Sequence, residues 1–324
     1  MYSLVYASAS ATLASAGLEM YMYSMKVFMT GATGFIGSYV AQALLARGDS
    51  LVVLARNPQK MPLLVGNPRV RIVKGELTDL HLFGQALDGC DACVHIALGW
   101  GDTPLAMLQK DTLPTVALLE AAERAGCQQF LYTSSTAALG EMRDPMNEAL
   151  RCIPTDLYGA TKAASEAYVL GFRNSRMRRN CIRPGYTFGN PVVPGGVSQP
   201  DRRFADLARA CMQGAPMHMI HHDGTQFIYA SDLAKLFLAV LDSDCQSQVY
   251  LGLADTWVSW EEVARRMLAI TGSSSRIVLE DRGWGAQPIR FEVAKIRTQF
   301  GLQFSSWPNL EEHIQWQLQE ARRK

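Results

Sequence analysis

The sequence has no excess of charge of one sign and no long apolar run after its first 24 residues. Its 31 basic and 30 acidic residues give a formal net charge of +1, which offers no electrostatic attraction to a nucleic acid or an anionic membrane. A span of about 20 apolar residues would be needed to cross a bilayer. We therefore expect no nucleic acid and no membrane as a partner.

Cysteine is sparse and scattered. Of the seven cysteines, Cys90 and Cys93 form the one close pair, and no second pair completes a zinc site. The neighbours His221 and His222 have no acidic or cysteine ligand at helical spacing, so we predict no metal site. The odd cysteine count without disulfide-like spacing suggests a reducing, cytoplasmic location.

The first 24 residues contain neither lysine nor arginine. A secretory signal usually begins with a basic segment, which this stretch lacks. We predict that residues 1–24 form an extension outside the fold and that Met25 is the natural start of the folded chain. An expression remnant or a misplaced start codon would account for the extension.

A glycine-rich turn is the clearest local signal. The stretch TGATGFIGS runs from Thr30 to Ser38, between an apolar run and a helical pattern. Gly31 and Gly34 would permit a tight turn close to phosphate oxygens, and Gly37 would let the helix lie close to the strand. An ordinary tight turn is the alternative. The pattern predicts a dinucleotide pyrophosphate at the helix N-terminus, with contacts from Gly31, Thr33, Gly34, Phe35, Ile36 and Gly37.

The next apolar run, residues 51–55, ends at Arg56. In a dinucleotide fold this strand end meets the adenosine ribose, where an acidic residue binds the 2′-hydroxyl and an arginine accommodates a 2′-phosphate. No acidic residue stands there. Arg56 therefore favours NADP, with NAD possible, although a solvated arginine at the start of a turn is the alternative.

Two further apolar runs, 70–73 and 92–97, are predicted to end at the same edge of the sheet, where ligands of such folds bind. Glu76 and Leu77 are expected to line the adenine. Ala97 and Leu98 are expected to line the path from the phosphates to the nicotinamide. His95 lies inside the second run and is predicted to be a core histidine rather than a catalyst.

Apolar runs alternate with helical patterns up to a fifth run at 129–133. This order predicts the α/β class, with a Rossmann-type doubly wound parallel sheet. A helix is expected from Leu105 to Ala125, which Pro114 should bend or begin. We predict a dinucleotide-binding domain over 25–183, completed by 224–252, and a smaller C-terminal substrate-binding region over 184–223 and 253–324.

Tyr158 and Lys162 lie four residues apart in a helical pattern, so their side chains share one face. A phenol with a pKa of about 10 is a poor base at neutral pH, but a nearby ammonium and an oxidised nicotinamide would favour the phenolate. Ser135 follows the fifth predicted strand and could hydrogen-bond the reacting oxygen. We predict these three residues to be catalytic, although a tyrosine and a lysine at this spacing also occur by chance.

The chain resembles an extended short-chain dehydrogenase/reductase of the NAD(P)-dependent epimerase/dehydratase kind. The resemblance covers most of residues 25–320, and the motifs that carry it are TGATGFIGS, GELTD, VHIALG, LLEAAERAG, FLYTSSTAALG, YGATK, IRPGYTFGN and FIYASDLAKLFLAVL.

This resemblance implies a role for each matching residue. Tyr158 would be the catalytic acid/base, Lys162 would bind the nicotinamide ribose, and Ser135 would polarise the substrate oxygen. Arg183 would lie beside the nicotinamide, and Asp232 would be a structural residue. The resemblance also implies a homodimer in which the long helix and the Tyr158 helix pair across a two-fold axis.

Two positions depart from the family pattern. Asp111 stands where the family usually has an asparagine in the long helix, and Gln226 stands where many nucleotide-sugar enzymes carry an arginine. Arg290 is an alternative source of that positive charge, but a surface position is favoured for it. The loop over the predicted pocket is rich in Gly and Pro, and the side chains expected to line the substrate pocket are Trp100, Ser135, Tyr186 and Phe188. The three aromatic residues among them could equally belong to the core.

The leading hypothesis is an NAD(P)-dependent oxidoreductase that moves hydride between a nicotinamide and a carbonyl or alcohol substrate, with Tyr158 as acid/base. One alternative is an NAD-dependent nucleotide-sugar epimerase or dehydratase. Another is a non-catalytic NAD(P)-sensing binding protein. The sequence leaves open the substrate, the direction of the reaction and the choice among these.

Overall fold

The structure is a computed structural model that describes residues 24–173 and 175–323. The predicted extension over residues 1–24 lies outside the described residues, apart from Ser24. The strands are β1 (Lys26–Thr30), β2 (Ser50–Ala55), β3 (Val70–Lys74), β4 (Ala92–His95), β5 (Gln129–Thr133), β6 (Arg178–Pro184), β7 (Thr187–Phe188), β8 (Met217–Ile220), β9 (Gly224–Thr225), β10 (Ile228–Tyr229), β11 (Gln248–Gly252), β12 (Val258–Ser259) and β13 (Ile277–Glu280).

Within the described residues, one seven-stranded sheet has the order β3-β2-β1-β4-β5-β6-β11, and every neighbouring pair in it is parallel. The strand order reverses between β1 and β4, which makes this the switch point where ligands of open α/β sheets bind. The predicted Rossmann-type parallel sheet is confirmed. The fourth strand ends at His95 rather than Ala97, because the amides of Ile96 and Ala97 turn to the side chain of Thr30.

Helices cover both faces of the sheet. The helices are α1 (Phe35–Arg47), α2 (Phe83–Leu87), α3 (Pro104–Met107), α4 (Leu113–Arg124), α5 (Leu157–Gly171), α6 (Arg203–Met212), α7 (Ala230–Leu241), α8 (Trp260–Thr271), α9 (Ala294–Phe300) and α10 (Asn309–Arg323). Alternate residues of a strand face opposite sides: Val27 and Met29 pack with α1 and α7, whereas Phe28 packs with α2 and α4. No helix in the described ranges is long and apolar enough to span a bilayer.

The long helix predicted over 105–125 is interrupted. It consists of α3, a π-helical turn at Leu108–Thr112 and α4, in which Pro114 lies in the first turn. Pro114 has no N–H to donate to the carbonyl of Lys110, four residues earlier. That carbonyl lies against Gly99, where an added Cβ would approach it to 1.9 Å. Of the two predicted alternatives, that Pro114 bends the helix or begins it, the structure shows Pro114 in the first turn of α4, directly after the π-helical turn.

A second apolar cluster forms beyond the carboxyl edge of the sheet, between α6, α8 and α10. Its centre is aromatic: Phe204, Phe227 and Trp260 meet with ring centroids 4.8 to 5.7 Å apart, which are favourable edge-to-face distances. This cluster is the core of the region predicted to bind substrate. The domain boundaries drawn from the sequence stay a prediction.

Candidate active site

The turn after β1 depends on glycine at two positions, Gly31 and Gly37. Gly31 has a φ of 77°, and a Cβ there would lie 2.6 Å from the amide nitrogen of Ala97. The N–H of Gly34 donates to the carbonyl of Gly31 at 2.8 Å. A Cβ on Gly37 would lie 2.0 Å from that same carbonyl. Side chains at Gly31 and Gly37 would therefore force apart β1, the end of β4 and the first turn of α1.

The N-terminus of α1 provides a binding surface for an anion. Its N-cap is Gly34, and its first turn contains no acidic residue. The first-turn amides of Phe35, Ile36 and Gly37 have no carbonyl four residues earlier within the helix to which they could donate. Thr33 lies half-buried in the preceding turn. These amides, in a first turn without an acidic side chain, fit the diphosphate of a dinucleotide.

Buried polar contacts fix the ends of β1 and β4 beside this turn. The Oγ1 atom of Thr30 contacts the Nδ1 atom of His95 at 2.6 Å, and the Nε2 atom of His95 contacts Oγ1 of Thr115 at 2.8 Å. His95 is 1% exposed. Burial, with the positive charge of Lys162, lowers its pKa to about 3. His95 is a neutral core histidine, as predicted.

The other predicted cofactor residues lie at the same edge of the sheet. Arg56 is exposed directly after β2, and Glu76 is exposed after β3. Leu77 is half-buried against the apolar cluster beneath α2 and α4. Ala97 is half-buried and Leu98 is 40% exposed. Their contacts with a cofactor stay a prediction.

Close packing brings the start of α5 against the turn that follows β5. Asp156 caps α5 by accepting the N–H of Gly159 at 2.6 Å. A Cβ on Gly159 would lie 2.4 Å from the carbonyl of Ala137. Ser135 begins this turn and accepts the N–H of Ala137 at 3.1 Å. Gly159 therefore lets Tyr158, the residue before it, approach Ser135.

The side chains of Tyr158 and Lys162 share the face of α5 that points to the sheet. Lys162 is 3% exposed, and its Nζ atom donates to the carbonyl of Thr133 at 3.0 Å. The same atom lies 5.1 Å from the ring centre of Tyr132 and 5.9 Å from that of Tyr158. Ser135, Tyr158 and Lys162 thus meet at the carboxyl end of β5.

Burial acts on both titratable groups. Burial raises the pKa of Tyr158. A hydrogen bond with Ser135 opposes this rise, and the negative charge of Asp111 adds to it. Burial also lowers the pKa of Lys162, which the carboxylate of Asp111 raises. Both changes favour the uncharged forms, which is the usual consequence of a low-dielectric environment.

Asp111 lies in the π-helical turn and is fully buried. Its Oδ1 atom accepts the N–H of Gly99 at 2.8 Å, and its Oδ2 atom has no hydrogen-bond partner within the described part of the chain. Burial raises the pKa of this carboxyl, and the charge of Lys162 opposes that rise. The π-helical turn packs against α5, and the charges of Asp111 and Lys162 act on one another's pKa.

The structure gives Arg183 contacts other than those predicted. Its guanidinium contacts both oxygens of Glu166, at 3.0 Å and 2.5 Å, and the pair is almost completely buried. The Arg183 side chain is thus held against α5 by Glu166. Its contact with a cofactor stays a prediction.

Two of the predicted pocket residues belong to the core. Phe188 is fully buried among Phe204, Phe227 and His313, so the prediction that it lines a pocket is wrong. The ring of Tyr186 packs against the same cluster. Trp100 is 55% exposed, and its indole N–H donates to Asp102 at 2.8 Å.

Gln226 is 2% exposed and bonded at both ends of its amide. Its Nε2 atom donates to the carbonyls of Ala254 and Phe291, at 2.9 Å and 3.0 Å. Its Oε1 atom accepts the N–H of Phe291 at 2.6 Å. Arg290, the residue before Phe291, is exposed as predicted. The uncharged amide of Gln226 is therefore fully used in hydrogen bonds to the protein's own main chain.

Three contributors to the site were not identified from the sequence. The main-chain carbonyl of Thr133 could not be identified, because a residue of any type would present the same carbonyl to Lys162. Gly159 could have been found, because a glycine directly after Tyr158 in YGATK is unfavourable inside a helix. Asp111 was noted as a departure, but its proximity to Lys162 depends on the π-helical turn.

Comparison with known proteins shows one family whose model matches more than half of the chain. Residues 27–251 match the model of the NAD dependent epimerase/dehydratase family. The 3 beta-hydroxysteroid dehydrogenase/Delta 5-->4-isomerase of Mycobacterium tuberculosis is 30% identical over 183 residues, which are 51% of this chain and 48% of that protein. The chain thus spans about half the length of this curated relative.

Two solved structures cover almost the whole fold. MoeE5 in complex with UDP-glucuronic acid and NAD is 25% identical, with a TM-score of 0.74, and the superposition covers 91% of this chain and 99% of that one. The UDP-glucuronic acid 4-epimerase from Bacillus cereus in complex with NAD is 22% identical, with a TM-score of 0.77, and the superposition covers 92% and 100%.

Proposed function

The chain belongs to the NAD dependent epimerase/dehydratase family, and from this premise we propose that it is an NAD(P)-dependent oxidoreductase acting on a carbonyl or alcohol. The observation that carries the proposal is the convergence of Ser135, Tyr158 and Lys162 at the edge of the sheet where the glycine turn of β1 lies. When bound, the nicotinamide supplies or accepts the hydride.

Each residue has one task in this reaction. Tyr158 transfers the hydroxyl proton of the substrate, Ser135 holds the reacting oxygen by a hydrogen bond, and Lys162 favours the phenolate. Lys162 is itself held by the carbonyl of Thr133. The amides of the first turn of α1 would hold the diphosphate.

We propose NADP as the preferred cofactor, with NAD also accepted. Arg56 lies exposed at the end of β2, where a 2′-phosphate would be bound. MoeE5 and the Bacillus cereus epimerase were solved with NAD, which makes NAD the alternative. Comparing KM for NADPH and NADH decides between them.

The substrate is proposed to be a moderately apolar ketone or alcohol. Gln226 supplies no positive charge for a diphosphate and is fully engaged with the backbone. Met142 and Ile153 are 43% and 57% exposed on the segment between Ser135 and Tyr158. The similarity to a hydroxysteroid dehydrogenase points the same way.

A nucleotide-sugar epimerase or dehydratase is the second candidate. It is favoured by the likeness to MoeE5, a structure with UDP-glucuronic acid and NAD bound. Such an enzyme would retain NAD through purification and act on UDP-sugars without net consumption of cofactor. A panel of apolar ketones and UDP-sugars, assayed with NADPH and NADH, separates the two candidates.

We also propose that the protein is a homodimer. Leu105, Leu113 and Tyr168 are 51 to 62% exposed on α3, α4 and α5, and a second copy would cover these apolar side chains. A cytoplasmic location is supported by the cysteines, which are all free. Sedimentation of the purified protein tests the dimer.

The test of the catalytic assignment is Tyr158→Phe. Loss of a general acid/base costs about 10³-fold in kcat, while the affinity for NADPH, measured by fluorescence, should be unchanged. A binding protein without catalytic activity would show no turnover even before the substitution. Unchanged turnover in the variant would exclude Tyr158 as the acid/base.

A further inference from the structure

Two buried ionisable groups beside Tyr158 each have incomplete hydrogen bonding. The carboxyl of Asp111 uses one oxygen on Gly99, and its Oδ2 atom has no partner within the described residues. The ammonium of Lys162 has three donors, and one hydrogen bond, to the carbonyl of Thr133, is found in the described part of the chain. Groups buried this deeply are normally paired.

The placement of Asp111 is fixed by the backbone. The π-helical turn before Pro114 brings the carbonyl of Lys110 against Gly99, and the N–H of Gly99 then holds the Asp111 carboxyl at 2.8 Å. Asp111 is 0% exposed and Lys162 is 3% exposed. Water therefore screens neither charge effectively.

Resting on the proposed function, we propose that Asp111 is a positioning residue: its carboxylate is the counter-ion of Lys162, and its charge sets the pH range in which Tyr158 transfers a proton. An unpaired ammonium at this depth would be strongly disfavoured, and a nearby carboxylate offsets that penalty. The same negative charge opposes formation of the Tyr158 phenolate.

The charged and titratable groups around Asp111 come from several elements. Lys162 and Tyr158 face it from α5, and Tyr132 faces it from β5. His95, on β4, is neutral because its pKa is about 3. Gly99 contributes only a main-chain amide. Lys162 is therefore the cation that faces Asp111 among these neighbours.

The sign of the effect follows from these charges. In the direction of alcohol oxidation, Tyr158 must lose its proton and Lys162 must keep its own. Asp111→Asn removes a negative charge at constant size, which makes the phenolate easier to form and the ammonium easier to deprotonate. Both limbs of the pH profile of kcat should move to lower pH, by about one unit for the removal of one buried charge.

The experiment compares wild type, Asp111→Asn and Glu120→Gln. Glu120 is an exposed acid on α4, so its replacement controls for loss of a negative charge without loss of the buried one. The first readout is kcat against pH. The second is NMR of the protein labelled at the ε-carbon of lysine, with the Lys162 signal assigned from Lys162→Met.

The NMR readout does not depend on turnover, so it separates this proposal from the proposed function. If Asp111→Asn lowers the titration midpoint of Lys162 by about one unit and Glu120→Gln does not, the counter-ion role is supported even when no substrate has been found. If the midpoint stays in place, the proposal is overturned, whatever happens to thermal stability. Asp111→Ser provides a second neutral variant should Asp111→Asn fold poorly.

Discussion

Helix α5 carries two buried charged side chains one turn apart, and their surroundings differ. Glu166 is paired through both oxygens with Arg183. Lys162 has one hydrogen bond, to a main-chain carbonyl, among the described residues, and its opposite charge, Asp111, keeps one oxygen without a partner there. A fully paired charge holds the fold together. An incompletely paired one keeps hydrogen-bonding capacity for a ligand or a proton.

The largest effect should follow from breaking the complete pair. Glu166→Ala would leave the guanidinium of Arg183 buried without its partner, and the free energy of unfolding should fall by about 3 to 5 kcal/mol. Urea unfolding at neutral pH measures this. The matched control is Arg183→Met combined with Glu166→Leu, which should be far less destabilised. Equal losses in the single and double variants would contradict the assignment.

Replacing the incompletely paired charge should affect turnover instead. Lys162→Met removes the ammonium that favours the Tyr158 phenolate, and we expect kcat to fall by about 100-fold. The free energy of unfolding should fall by less than it does in Glu166→Ala, because burial already raises the pKa of Asp111 and its carboxyl can take up a proton once the ammonium is gone. If Lys162→Met unfolded as readily as Glu166→Ala, the distinction between the two charges would not hold.

His313, beside the aromatic cluster between α6, α8 and α10, is a buried titratable group that stays neutral. Burial lowers the pKa of His313 from its ordinary 6.5 to about 3, so its stabilising contribution is present above pH 6.5 and is lost as the pH falls toward 3. Between pH 7.5 and 5.5 the wild type should lose about 1.4 kcal/mol relative to His313→Leu. Urea unfolding at the two pH values measures this difference.

The control for this smallest effect is His218, which is exposed on β8. The free energy of unfolding of His218→Gln should fall between pH 7.5 and 5.5 by the same amount as that of the wild type. A wild type and a His313→Leu variant with the same pH dependence would show that His313 is protonated equally in the folded and unfolded states.

Local patterns were sufficient for the sheet and for the glycine turn. Fully apolar runs such as residues 51–55 are typical of strands buried on both faces. Gly37 is required by a contact with Gly31 six residues earlier, whereas Gly31 is required by its positive φ and by the approach of Ala97. Ser135, Tyr158 and Lys162 were also identified, because their order along the chain follows the order of the strands. The fold, and the elements that carry these candidates, were therefore predictable.

Side chains whose direction depends on distant parts of the chain were less predictable. Phe188 was assigned to a pocket because it stands at the start of a Gly-rich and Pro-rich loop, but Phe204 and Phe227 cover its ring. Arg183 lies at the predicted strand end, yet the face it occupies is set by the pleat of β6 and by Glu166. Neither contact leaves a signal in the neighbouring sequence.

The parallel direction of the strands separates the molecule into two edges with different uses for protein engineering. Every strand of the large sheet presents its carboxyl end on the side of the glycine turn, so grafted loops on that side would change which compounds are accepted. Turns at the opposite edge, such as the one at Gly126, lie at the far end of the strands. Insertions or reporter fusions should be tolerated there without altering turnover.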